Sequence, residues 1–229
     1  MNVRLAKDCF PLSPLQQGML FHWLKEPHAG VDIEQLVVHL PEAIDSGQLR
    51  NACEWLVSSH EILRARFDWE NIERPQQEIL EKVRVPFFVR DAQASSEAEQ
   101  RSRLEQFLKE DRIQGFELNT APLLRFTLFQ WGGASFSLVW TFHHALLDGR
   151  CFPILLRELF EAYENPAPEL RPSAVDSAFR QHVDWLQNQD HEQAGPFWRN
   201  HLESFSAPTS VVVDHKAIEF EFPQGEAWG

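Results

Sequence analysis

Two apolar runs, Leu123 to Trp131 and Ser135 to Phe142, stand back to back around the dipeptide Gly132-Gly133. A glycine pair between two such runs signals a β-hairpin, because tight hairpin turns need positive φ angles that glycine adopts freely. In the second run Phe136, Leu138, Trp140 and Phe142 fall on every second position, so one face of that strand is apolar. The pair has to bury this face, which predicts further strands and helices packed around an antiparallel core.

The rest of the chain supplies them. Ser13 is placed to cap a helix from Leu15 to Lys25 with Pro14 at its first position, and Leu15, Met19, Leu20, Phe21 and Trp23 as its buried side. Val31 to Leu40 alternates as a strand, and a second helix runs from Asp45 to Ser58 with Leu49, Ala52, Cys53 and Leu56 on one face. Leu63, Ala65 and Phe67 alternate with Arg64, Arg66 and Asp68, which reads as a strand with one apolar and one charged face. Weaker strands are expected at Gln76 to Leu80 and Val85 to Val89. A charged helix follows over Ser95 to Arg112, anchored by Leu104, Phe107 and Leu108.

After the hairpin come a helix over Phe152 to Glu164, a stiff linker with Pro166, Pro168 and Pro172, and a helix opened by the capping box Ser173-x-x-Asp176 and running to Gln189. Another helix spans Glu192 to Leu202. Val211 to Val213 and Ile218 to Phe222 read as strands in a loosely tied tail. Without a regular βαβ rhythm, the expected class is α+β, a mixed and mainly antiparallel sheet flanked by helices.

Composition narrows the function. The 34 acidic and 21 basic residues leave a formal charge of −13. Nucleic-acid binding needs a basic surface to displace counterions, so that class is excluded, and an acidic partner would have to dock on a locally basic patch. Cys9, Cys53 and Cys151 are odd in number and widely spaced, which argues against a disulfide framework or a structural zinc site. No secretory leader and no stretch of 18 apolar residues is present, so a cytoplasmic protein outside the membrane is expected.

The chemistry-bearing cluster is His143-His144-x-x-x-Asp148-Gly149, where the second hairpin strand runs out and a helix begins. Strand-to-helix junctions present side chains on rigid supports, His exchanges protons near neutrality, and Gly149 permits a turn or close approach. Three plainer readings stand beside this one. The His pair could be polar strand-end residues. It could bind a metal, although neighbours on an extended strand point to opposite faces. Asp148 could orient a His, or be a buried carboxylate needing a cation such as Arg64.

The motif H-H-x-x-x-D-G resembles the signature of the condensation domains of nonribosomal peptide synthetases, relatives of chloramphenicol-acetyltransferase-like acyltransferases. Three further stretches match in order. Leu12-Ser13-Pro14-Leu15-Gln16-Gln17-Gly18-Met19-Leu20-Phe21-His22 is similar to the family's opening helix. Ser59 to Phe67 resembles R-H-E-x-L-R-T-x-F, departing at Ser59 and Ala65. Phe179 to Trp185, Phe197-Trp198-Arg199 and Ala207-Pro208-Thr209 resemble the helix pair closing the N-terminal lobe.

The resemblance implies a single chloramphenicol-acetyltransferase-like lobe over residues 1–205 and a connecting tail over 206–229. It makes His144 the catalytic residue, with His143 and Gly149 in the same site, and Asp148 paired to Arg64 as structural support. It implies amide formation between acyl and aminoacyl groups carried on phosphopantetheine arms, which are substrates; no permanent cofactor and no metal are expected. Peptidyl and acyl carrier proteins are the implied partners.

The family's second-lobe stretches, I-G-x-F-V-N-T-like and H-x-Q-D-like, do not occur in residues 203–229. The chain is therefore expected to need a C-terminal lobe or partner chain, or to self-associate through its uncovered face. A non-catalytic carrier-docking module and a CoA-dependent acyltransferase are the alternative functions.

Overall fold

The computed structural model describes residues 6–27, 29–70, 73–93, 96–165 and 177–207, with only the backbone at 6, 7 and 191–193. The chain falls into two compact units, residues 1–188 and 189–229. The expected lobe boundary at residue 205 lies inside the second unit. The proline linker, the capping box at Ser173 and the two tail strands lie outside the described residues.

In the first unit the elements run β1 (Ala6–Pro11), α1 (Pro14–Lys25), β2 (Ile33–Leu40), α2 (Ser46–Ser59), a 3-10 turn (Glu61–Arg64), β3 (Ala65–Asp68), β4 (Gln76–Leu80) and β5 (Phe87–Asp91). They continue with α3 (Glu97–Gln114), β6 (Leu124–Gly132), β7 (Ser135–His143), α4 (Cys151–Glu164) and α5 (Ser177–Gln187). The second unit contributes α6 (His191–His201). The strands form two sheets, an antiparallel one in the order β1-β4-β3 and a mixed one in the order β2-β7-β6-β5.

The glycine hairpin forms as the sequence indicates, shifted by one residue. Gly132 pairs with Ser135 at the end of β6, so the turn is Gly133-Ala134. Both glycines have positive φ, 105° and 60°. β5 and β6 are the exception to the antiparallel rule: they pair in parallel, Phe87 opposite Phe126, because the 18-residue α3 crosses between them.

Period-two alternation then separates two cores. Leu124, Phe126 and Leu128 stand opposite Phe142, Trp140 and Leu138, and this face joins the main cluster with Leu49 and Leu56 of α2 and Leu155 and Leu159 of α4. The other face puts Phe129, Trp131 and Val139 against Phe107 of α3. Fully burying each large apolar side chain contributes about 1.5–3 kcal/mol, which makes the hairpin the mechanical centre of the lobe.

The structure adds one strand and changes two expectations. β1 carries no sequence signal: it is a short polar strand without apolar alternation, ending in Pro11, and an edge position is where a sheet tolerates proline. In α1 the buried residues are Gln16, Met19 and Leu20, whereas Leu15 and Phe21 face outward, 71% and 57% exposed. Arg64 belongs to a 3-10 turn instead of a strand's charged face and is buried.

Candidate active site

His143 is the last residue of β7, and its position on the strand sends it to the α3 side of the sheet, in line with Val139 and Thr141. His144 follows the strand. The two rings are held differently. His143 is 2% exposed, and its Nδ1 accepts the Ala145 N–H at 3.2 Å. Burial lowers its pKa to about 4, opposed by the nearby Asp32 charge and reinforced by His144. It is therefore neutral at physiological pH, with its proton on Nε2. This histidine fastens the loop from inside.

His144 is half-buried, and its Nδ1 lies 2.7 Å from the Leu147 carbonyl. A carbonyl only accepts, so Nδ1 carries a proton, and in the neutral ring Nε2 is the acceptor. The His144 N–H donates to the Asp32 carbonyl at 2.8 Å, which pins the backbone from which the ring projects. Leu146 N–H closes the turn onto the His143 carbonyl at 3.0 Å.

One contact reaches this loop from α1. The amide nitrogen of Gln16 donates to the Ala145 carbonyl at 3.1 Å, while Gln16 and Gln77 of β4 exchange reciprocal amide hydrogen bonds at 3.0 and 3.3 Å. Gln16 also accepts from Ser13 N–H in a capping box. Sequence reasoning passes over Gln16, His22 and Asp32. The available signal is a glutamine sharing the face of Met19 and Leu20, where an apolar residue is the norm.

Asp148 and Arg64 do not meet. Asp148 is exposed, and its Oδ1 accepts from Arg150 N–H at 2.9 Å, Cys151 N–H at 3.2 Å and the Cys151 thiol at 3.2 Å. The thiol hydrogen bond, opposed by desolvation and helped by the two amides, holds its carboxyl below the usual range. Asp148 thus shapes the turn into α4. Arg64 instead donates to the carbonyls of Val57 and Ser58 at 2.9 and 2.6 Å, and also to those of His60 and Leu80. The last carbonyls of α2 lack helical partners, and a guanidinium satisfies them. In place of the expected pairing, Arg64 caps the end of α2 and Asp148 shapes the turn before α4.

The backbone at Gly149 is outside the left-handed region, which among the described glycines holds Gly30, Gly115, Gly132 and Gly133. A Cβ built on Gly149 meets nothing within 4 Å. Its value is open space above the backbone rather than turn geometry. α4 then starts directly behind, with Phe152 packed on Phe142 at 5.2 Å and Glu158 held by His60 Nε2 at 2.6 Å. Among the described residues no group of three or more His, Cys, Asp or Glu side chains is arranged to hold a metal ion.

The loop thus pairs two histidines at a strand end, one ring locked neutral inside and the other hydrogen-bonded through Nδ1 to the loop's own carbonyl. The model of the condensation domain matches residues 6–223.

This chain belongs to the condensation-domain family.

As a condensation-domain chain it is 34% identical to bacitracin synthase 3 of Bacillus licheniformis over 203 residues. It is 33% identical to bacitracin synthase 1 of the same organism over 213 residues. These alignments cover 86% and 93% of this chain, and 3% and 4% of the two relatives. In fold it is similar to the starter condensation domain of rhizomide synthetase, with a TM-score of 0.69 at 17% identity, covering 88% of this chain and 50% of that one. The first condensation domain of the calcium-dependent antibiotic synthetase gives 0.73 at 16% identity, covering 90% and 50%. The chain therefore spans a small part of the synthetases and about half of the condensation-domain structures it matches. Among the described residues no helix is long and apolar enough to cross a membrane.

Proposed function

We propose that this chain is the histidine-bearing lobe of a peptide-bond-forming condensation domain, with carrier-bound thioesters as substrates. The amine of an acceptor aminoacyl group attacks the thioester carbonyl of a donor. A C–N bond forms, the C–S bond breaks, and the phosphopantetheine thiol leaves with the proton the amine gives up. The reading rests on His144, whose Nδ1–H is committed to the Leu147 carbonyl so that Nε2 is an acceptor.

An α-amino group has a pKa of roughly 7.7–8.0, so part of it is neutral at pH 7 and no strong base is required. Nε2 orients the amine and takes its proton as the bond forms. Gly149 leaves room for the reacting atoms, and His143, Asp148 and Arg64 hold the local frame. Holding two tethered substrates together contributes much of the rate. The facing wall of the site comes from a C-terminal lobe or partner chain, the other partners are peptidyl and acyl carrier proteins, and the setting is cytoplasmic.

The test is a condensation assay with loaded donor and acceptor carriers, using this chain supplied with a C-terminal lobe. His144→Ala is expected to lower turnover by about 10²–10⁴-fold, the usual scale of an acid–base group. Gly149→Ala is expected to lower it while leaving the melting temperature unchanged. Full activity in His144→Ala refutes the assignment.

The alternative reading is a lobe that docks carriers without chemistry. Calorimetric titration with phosphopantetheinylated carrier separates the two: binding that survives His144→Ala, with no product formed by the wild type, supports docking alone.

A further inference from the structure

Beside the site lies a His–Asp contact that the proposed reaction does not use. His22, in the last turn of α1, has its side chain 54% exposed, and its Nδ1 lies 3.2 Å from Oδ2 of Asp32. Asp32 occupies the turn just before β2, and its carboxylate is mostly covered. The same residue's carbonyl accepts the His144 N–H, and its charge is felt at the ring of His143. Asp32 is thus gripped at both ends, by α1 through its side chain and by the catalytic loop through its main chain.

We propose that His22 is a positioning residue for His144, acting through Asp32. Holding the carboxylate fixes the residue, and the residue's carbonyl fixes the backbone on which the His144 imidazole is mounted. Arg112 of α3 supports the turn on either side of Asp32, donating to the carbonyls of Gly30 and Ile33. His22 supplies the hold on Asp32 itself. Without His22 the carboxylate is free to swing toward water and carry its carbonyl with it.

A His–Asp pair whose histidine is exposed contributes little to global stability. Displacing a reacting group by about 1 Å can cost about 10²-fold in rate. The two effects are therefore separable. The proposal rests on His144 being the catalytic group, and the experiment has one arm that does not depend on it.

In this chain, backbone amide exchange is followed for His22→Ala and for His22→Asn, whose amide nitrogen can take the place of Nδ1. The His144 amide is expected to exchange about tenfold faster in His22→Ala, as a local opening, and to recover in His22→Asn. The His143 amide, bonded to the Leu123 carbonyl at 3.0 Å, is expected to stay protected in both. In the condensation assay with a C-terminal lobe, His22→Ala is expected to lower kcat about tenfold at constant KM, with recovery in His22→Asn.

Unchanged exchange at His144, or equal loosening at His143, overturns the proposal. If the brace is seen by exchange but His144→Ala condenses normally, the positioning contact stands and the catalytic reading falls. If His144→Ala is inactive and His22→Ala is normal in both measurements, the catalytic reading stands and this one falls.

Discussion

Burial gives His143 a pKa of about 4 against an ordinary value of 6.5. In the unfolded chain the same ring takes a proton near 6.5, so between these values the unfolded state binds more protons than the folded one. Stability is then full above pH 6.5 and falls as pH drops toward 4, by about 3 kcal/mol if His143 acts alone. Urea denaturation across pH 4–7 is expected to show this slope, and His143→Gln is expected to flatten it. The motif makes both histidines legible in the sequence, and strand alternation already says that they face opposite ways. Which nitrogen carries each proton is not legible, because that depends on two main-chain groups, Ala145 N–H and Leu147 C=O, placed by the turn.

α3 shows how an element can be found correctly and its attachment missed. Its polar sequence offers Leu104, Phe107 and Leu108 as an anchor, and Phe107 does sit buried on Phe129, 5.0 Å ring to ring. The firmer attachment is Asp111, whose carboxylate accepts from Arg125 Nε and Thr141 Oγ1 at 2.6 Å and from Gln35 Nε2 at 2.9 Å. One buried carboxylate thus ties the helix to β6, β7 and β2. Removing one partner of a buried ion pair strands the other, at about 3–5 kcal/mol. Asp111→Ala is expected to lose about that much in urea denaturation, and Asp111→Leu with Arg125→Met to lose less. In a helix crowded with charges, nothing in the sequence separates Asp111 from its solvated neighbours; the crossover from β5 to β6 does so by laying this turn over Arg125.

At the scale of the whole molecule, the apolar residues that the fold leaves uncovered against expectation fall on α1. Leu15, Phe21 and Leu24 point outward from a helix whose inner face reaches the His143–His144 loop through Gln16. Large apolar side chains left uncovered next to a site mark a surface meant for contact. The chain alone is expected to self-associate at micromolar concentration in sedimentation velocity runs, and Phe21→Ser with Leu24→Ser to shift it toward monomer. The same face reads as core in the sequence because an apolar residue carries no label for what covers it.

The glycine hairpin, the Ser13 cap of α1 and the histidine loop at the end of β7 were determined by the sequence itself. Each depends on neighbours a few residues away: glycine φ freedom, a serine before a helix, alternation along one strand. The tertiary structure alone decided that Gln16 and Asp32 hold the loop of His144, and that α1 presents apolar residues outward. The Gln16 contact joins residues 129 positions apart, and no local pattern encodes a contact between elements so distant along the chain.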